Sequence, residues 1–188
     1  MRNLVTTAIE IQNFLEEKHW KYCIIGGFAL LNWGESRLTR DIDITLLTGF
    51  GNEENFIKDL LQAYPSRIPD ALEFGLRNRV LLLKSKSGID FDIALGGLPF
   101  EEDCVTRSVL VDYGNDEWIR ICSADDLIIM KAFANRPIDW ADIEGIIIRQ
   151  QAKLDWNRIF ENLSSLCELK GEPEIVSKLL KLRDNSVT

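Results

Sequence analysis

Asp41 and Asp43 sit two residues apart in the run Asp41-Ile42-Asp43-Ile44-Thr45-Leu46. Polar and apolar residues alternate there as in a half-buried strand, so both carboxylates leave one face while Ile42 and Ile44 face a core. Two carboxylates this close repel unless they share a proton or a cation. Oxygen donors of this kind suit Mg2+, held by one or two carboxylates together with phosphate oxygens. Asp90-Phe91-Asp92 repeats the alternation, with Asp90 and Asp92 on one face and Phe91, Ile93 and Leu95 on the other. If the two strands are neighbours, a third carboxylate joins the pair. Three carboxylates can hold two metal ions about 3.5–4 Å apart, the arrangement that stabilises attacking and leaving oxygens in phosphoryl transfer. Upstream, Gly26-Gly27 closes one apolar run and opens another. Backbone N–H groups at such a turn, ahead of a helix N-terminus, form an anion site suited to a triphosphate. On the plainer reading the two glycines only permit a sharp turn. Arg37, Thr39 and Arg40 add donors immediately before Asp41.

The elements that must position these residues are legible as changes of period. Leu4, Ala8, Ile11 and Leu15 recur at helical spacing and predict an amphipathic helix over residues 3–18. Tyr22 to Ile25 is a short buried strand meeting the Gly26-Gly27 turn, and Phe28 to Trp33 a helix leaving it. A helix follows over Asn52 to Ala63, with Phe56, Leu60 and Ala63 on its inner side. Val80 to Leu83 and Ile89 to Leu95 flank the turn Lys84-Ser85-Lys86-Ser87-Gly88, a predicted hairpin, and Ser108 to Val111 and Trp118 to Ile121 are further strands. From Ser123 the period becomes helical. Ser123 with Asp126 matches a capping box opening a helix to about Ala134. Pro137 suits the first turn of a second helix carrying Ile143, Ile146 and Ile147 inward. Asp155 caps a third, and a polar helix near residues 173–182 follows. The expected fold class is therefore α+β: a mixed sheet with flanking helices over residues 1–122, and a helical region over 123–188 packed on that core.

Composition removes several alternatives. The 188 residues hold 22 Lys+Arg against 30 Asp+Glu, a net charge of −8 with pI near 4.8, which argues against a broadly basic nucleic-acid binder. The surplus is local: residues 90–144 carry thirteen acidic and four basic side chains. Most of these read as solvated surface and helix ends. The lone histidine, His19, excludes HExxH zinc sites and two-histidine acid–base pairs within the chain. Four scattered cysteines indicate neither zinc nor a disulfide framework. No leader pattern is evident, and the longest uncharged run, Tyr22 to Trp33, falls short of the roughly 20 apolar residues of a membrane span. The expectation is a cytoplasmic protein without membrane contact. Gly26-Gly27-Phe28-Ala29 lacks GK[ST], so the P-loop and dinucleotide fingerprints fail. Arg77, Arg79, Lys84 and Lys86 cluster at the second hairpin, where they either guide a phosphate backbone or solvate the turn, the latter being the better reading.

Taken together, Gly26-Gly27, Arg37-Leu38-Thr39-Arg40-Asp41-Ile42-Asp43 and Asp92 resemble the signature of the nucleotidyltransferase superfamily with a polymerase-beta-like palm. The series Ser123, Asp126, Leu127, Lys131, Arg136, Asp139 and Asp142 is similar to its AbiEii-like toxin branch. The likeness covers roughly residues 20–150. It implies Mg2+-dependent transfer of a nucleoside monophosphate from an NTP to an acceptor hydroxyl on RNA or protein, with an antitoxin protein as a possible partner. Asp41 and Asp43 would bind both metal ions. Asp92 would bind the catalytic ion and orient or deprotonate the acceptor, although Asp90 competes for that part. Gly26, Gly27, Arg37, Thr39 and Lys131 would serve the nucleotide. Lys131 is otherwise a snorkelling lysine on an inward stripe, and Arg136, Asp139 and Asp142 read as an ion-pair network seating the helices. The competing class is a non-catalytic member of the same fold that binds a nucleotide or a protein. A DxD glycosyltransferase ranks below both, because 188 residues leave little room for a sugar-binding half.

Overall fold

Among the described residues, six strands form one mixed sheet in the order β3-β4-β2-β1-β6-β5. The computed structural model describes residues 2–114 and 116–186; Met1 and Thr188, the outer ends of the two sequence-derived regions, lie outside them. The strands are β1 (Tyr22–Ile25), β2 (Asp41–Leu47), β3 (Val80–Lys84), β4 (Asp90–Gly96), β5 (Val109–Asp112) and β6 (Trp118–Ile121). β2 runs antiparallel to β1 and parallel to β4, β3 and β4 form the expected antiparallel hairpin, and β1 runs parallel to β6, which pairs antiparallel with β5. The observed class is α+β with a mixed sheet, as the periodicity predicts.

The chain divides into two compact units, Met1–Phe28 with Leu38–Cys122, and Ala29–Arg37 with Ser123–Thr188. The first holds the whole sheet together with α1 (Arg2–Glu17), α3 (Glu53–Ala63), α4 (Ala71–Asn78) and α5 (Pro99–Thr106). Its core is made by the apolar halves of the alternating strands. Ile42 and Ile44 of β2 and Phe91 and Ile93 of β4 are buried with Ala8, Ile11 and Leu15 of α1 and Ile57 and Leu60 of α3. Tyr64 ties this layer together, edge-on to Phe91 at 5.0 Å and to Phe14 at 5.4 Å. The inner face of α3 is rotated from the expected one. Ile57 takes the buried place, while Phe56 lies against the Trp20 ring, 4.7 Å between centroids.

Two helices that the periodicity does not reveal, α4 and α5, each have only eight residues. At that length the apolar spacing repeats barely twice, too little for a pattern to stand out. Their boundaries are set by local chemistry instead. Asp70 and Arg79 bracket α4 in left-handed conformations. Pro99 opens α5, where the Glu101 carboxylate accepts from the Gly97 and Leu98 N–H groups at 2.8 Å each.

The second unit contains α6 (Ala124–Ala134), α7 (Pro137–Gln150), a 3-10 turn (Gln151–Lys153), α8 (Trp156–Lys170) and α9 (Glu174–Ser186). The Ser123 hydroxyl accepts the Asp126 N–H at 3.1 Å and the Asp155 carboxylate accepts the Arg158 N–H at 3.1 Å, so α6 and α8 start where their caps predict. Residues 29–37, which include the end of α2 (Gly26–Trp33), belong to this unit because α7 grips them. Arg149 donates to the Gly34 carbonyl at 2.6 Å and Gln150 to the Trp33 carbonyl at 2.8 Å. Among the described residues, no helix is long and apolar enough to cross a membrane.

Candidate active site

The alternation in β2 and β4 puts polar residues on one face of the sheet, and the register arranges them in two rows. Asp43 is the direct partner of Asp92, with Ile25 of β1 on one flank and Leu82 of β3 on the other. One step along, Asp41 is the partner of Asp90, and Asp90 of Lys84. Residues paired across a ladder project to the same side, with strands about 4.8 Å apart, so four carboxylates occupy one small patch. The adjacency of the two acidic strands, only conditional in the sequence, is present in the structure.

Each carboxylate has a distinct environment. The Thr39 hydroxyl donates to Asp41 at 3.3 Å on its carboxylate and 3.4 Å on its carbonyl. Asp43 lies against the backbone of Gly26, which has φ +62°, and a Cβ built there would stand 2.0 Å from Asp43 Oδ2. Glycine is therefore required twice at this position, by its left-handed conformation and by the carboxylate filling the space of its missing side chain. α2 begins at Gly26 itself, two residues earlier than the apolar run suggests. Asp90 is bound by its cross-strand partner Lys84 and by Arg67, whose Nη1 lies 3.3 Å away. The Lys84 hydrogen bond chiefly holds the Asp90 carboxyl below the ordinary range. Asp92 is bound by Arg67 through Nη2. Burial, reinforced by Asp41 and Asp90, outweighs Arg67 and pushes the Asp92 carboxyl above the usual range.

Arg67 escapes a reading of the sequence. It lies between α3 and α4, outside any apolar period and outside the basic cluster at the hairpin. Only the register of the sheet brings it to the acids. That basic cluster is itself partly consumed. Arg79 binds Glu53 and donates to the Gly49 and Leu95 carbonyls, and Lys84 binds Asp90.

The remaining candidates lie in the second unit. Arg37 forks onto Asp142, Nε to Oδ1 at 2.9 Å and Nη2 to Oδ2 at 3.0 Å. Lys131 is buried and donates to Asp142 at 2.6 Å and to Asp139 at 3.3 Å. Arg136 closes the network on Asp139 at 2.6 Å. Burial would raise the Asp139 carboxyl, but Arg136 and Lys131 together hold it below its ordinary value. Arg136, Asp139 and Asp142 thus form the ion-pair network that their spacing suggests, and Lys131 and Arg37 are members of it.

The donor set of Asp41, Asp43 and Asp92 fits a magnesium ion by its chemistry. All three offer hard carboxylate oxygens, with no sulfur or imidazole among them. Among the described residues, however, no three carboxylate, cysteine or histidine side chains already converge as a cation cage. Asp92 is engaged by Arg67 instead.

Comparison with known proteins gives the site a context. The family described as "Nucleotidyltransferase of unknown function (DUF6036)" matches residues 2–185. A search of curated proteins returns no match. Several solved structures share the fold, three of them as follows. The lincosamide antibiotic adenylyltransferase LnuA, lincomycin-bound, is 18% identical over 73% of this chain and 92% of its own, with a TM-score of 0.51. An antigenic nucleotidyltransferase-like protein from Paracoccidioides brasiliensis is 13% identical over 93% of this chain and 92% of its own, at 0.55. The antibiotic-resistance factor ANT(2'')-Ia is 17% identical over 99% of this chain and 95% of its own, at 0.50. At these identities the likeness establishes the fold.

Proposed function

The chain belongs to this nucleotidyltransferase family, and on that premise we propose that it transfers a nucleoside monophosphate from an NTP to an acceptor hydroxyl, with release of pyrophosphate and with Mg2+ as cofactor. The observation that carries the reading is the row Asp43–Asp92, with Asp41 beside it and Gly26 left bare to admit the Asp43 carboxylate. Asp41, Asp43 and Asp92 would hold one or two ions. Bound there, Mg2+ would offset the charge of the triphosphate and favour in-line displacement. Gly26, Gly27 and Thr39 line the nucleotide side in this reading. Arg37 and Lys131 hold Asp142 in their own unit, and a phosphate contact by either would be shared with that carboxylate. Asp92 orients the acceptor hydroxyl and takes its proton. Of the two β4 acids it is the one directly across from Asp43, whereas Asp90 is taken up by its own cross-strand partner Lys84.

RNA or protein is the acceptor class we favour. The series Ser123, Asp126, Leu127, Lys131, Arg136, Asp139 and Asp142 supports kinship with AbiEii-like toxins, a toxin role and an antitoxin partner. The test is incubation of the purified protein with each α-labelled NTP, Mg2+ and, in separate arms, total RNA, total protein, a lincosamide or an aminoglycoside. Label should enter the RNA or protein arm and be lost in Asp43→Ala. Label in a small-molecule arm alone would move the acceptor to that class. Persistent labelling by the Asp41→Ala/Asp43→Ala double variant would overturn the mechanism. Mg2+-dependent NTP binding without transfer in any arm would favour a non-catalytic binding module.

A further inference from the structure

Arg67, the cation on Asp92, belongs to none of the strands, yet its backbone is fixed. Ser66 forms an isolated antiparallel bridge with Leu83, the Arg67 N–H donates to the Leu82 carbonyl at 2.9 Å, and the Lys84 N–H donates to the Pro65 carbonyl at 3.0 Å. The Ser66 hydroxyl locks the bend by donating to the Ile68 carbonyl at 2.8 Å and accepting the Ile68 N–H at 3.1 Å. Residues 65–67 therefore run as a short additional edge along β3. Leu82, which holds the Arg67 N–H, is the register partner of Asp92. The Arg67 backbone thus lies two strand spacings from β4, roughly 9.6 Å, a gap closed jointly by the long arginine side chain and the carboxylates that it meets.

At the far side its fork meets two carboxylates, Asp92 through Nη2 and Asp90 through Nη1. Asp90 already has Lys84 directly across from it, whereas among the described residues Arg67 is the cation paired with Asp92. The Arg67 side chain is 25% exposed, so its head is not walled in. A guanidinium is always charged, and a divalent ion on the same carboxylate would stand within a few ångströms of it, where like charges repel strongly.

We propose that Arg67 is a resident counter-cation of Asp92, a positioning residue that holds this carboxylate while the site is unloaded and shifts its weight onto Asp90 when Asp92 turns to a divalent ion shared with Asp41 and Asp43. This rests on the metal site of the proposed function. It also gives the otherwise surplus Asp90 a task. Asp90 is the carboxylate on which the guanidinium stays, so that releasing Asp92 strands no cation. Arginine suits this bridging role better than lysine because its planar fork reaches two carboxylates at once.

The experiment is Mn2+ binding without nucleotide, followed by the electron paramagnetic resonance signal of the free ion. Wild type is compared with Arg67→Ala, Arg67→Met, Arg67→Lys and Lys84→Met. Arg67→Ala and Arg67→Met, the second keeping the apolar stem, should bind Mn2+ about three- to tenfold more tightly, and Arg67→Lys should fall back towards wild type. Lys84→Met removes the same charge from the neighbouring carboxylate and measures the merely Coulombic gain, which should be smaller. In the Arg67→Ala background, Asp90→Asn should weaken binding less than it does in wild type with respect to the Arg67-dependent part. Equal gains in Arg67→Met and Lys84→Met, or no gain in either Arg67 variant, would overturn the proposal while leaving the metal site standing. Mn2+ binding that is absent, or indifferent to Asp41→Ala/Asp43→Ala, would overturn the metal site and this inference together.

Discussion

Asp43 of β2 and Asp92 of β4 are register partners in a parallel ladder, so a carboxylate from each half of the acidic sequence leaves the sheet at one level. Asp90, one step away, faces Asp41 across the ladder but is answered on its other side by Lys84. The two β4 acids therefore differ in what they can do. Asp92→Asn should lower the rate of labelled transfer by about 100-fold or more, the usual scale for loss of a positioned base. Asp90→Asn should lower it less than tenfold. Initial rates under saturating NTP distinguish them, and the reverse ranking would reassign the third carboxylate.

Gly26→Ala should damage stability and site together. A left-handed conformation costs a residue with a Cβ about 1–2 kcal/mol, and the new methyl would collide with the Asp43 carboxylate at 2.0 Å. For a chain of this length that energy corresponds to a fall in Tm of several degrees, at about 2–4 °C per kcal/mol. Transfer should fall as far as in Asp43→Ala. Scanning calorimetry and the labelling assay check the two halves of the prediction separately.

Asp142 should matter more than either of the cations it receives. It is 5% exposed and binds both Arg37 and the buried Lys131. Asp142→Ala leaves Lys131 with Asp139 at 3.3 Å and Arg37 without this carboxylate. Breaking a buried charge pair in this way costs on the order of 3–5 kcal/mol. Arg37→Ala should cost far less, because Asp142 keeps Lys131 and Arg37 is 35% exposed. Denaturant unfolding gives both values, and equal losses would mean that Lys131 contributes nothing to the network.

The same network sets a pH dependence. Asp139 is held below its ordinary range because Arg136 and Lys131 outweigh the effect of burial. A carboxylate whose folded pKa is depressed contributes stability above its unfolded value, about 3.9, and loses it as pH falls through the lower folded value. Unfolding measured from pH 6 to pH 2.5 should show this contribution in wild type and its absence in Asp139→Asn. Identical slopes for the two proteins below pH 4 would contradict it.

Much of this architecture follows from local rules. Alternation in Asp41–Leu46 and Asp90–Leu95 is enough to predict two strands with their acids outward, because a strand has a period of two. Ser123, Pro137 and Asp155 open their helices where cap chemistry requires, since each satisfies or removes backbone donors within three residues. Where the signal is short, it fails. α4 and α5 lack the length for a period, and the inner face of α3 turns on Ile57 rather than Phe56, whose ring packs against Trp20 instead.

What the amino-acid order determined by itself is the inventory: two acidic strands, a bare glycine turn before them, and a helical region whose charges recur three and four residues apart. What only the tertiary structure decided is which strand lies beside which, in what register, and which cation answers each acid. Parallel pairing of β2 with β4 brings together residues about fifty positions apart, and the bridge from Ser66 to Leu83 brings in Arg67 from a segment with no pattern at all. Local periodicity fixes the side of a strand to which a carboxylate points. Its neighbours depend on long-range packing, to which the sequence around it bears no witness.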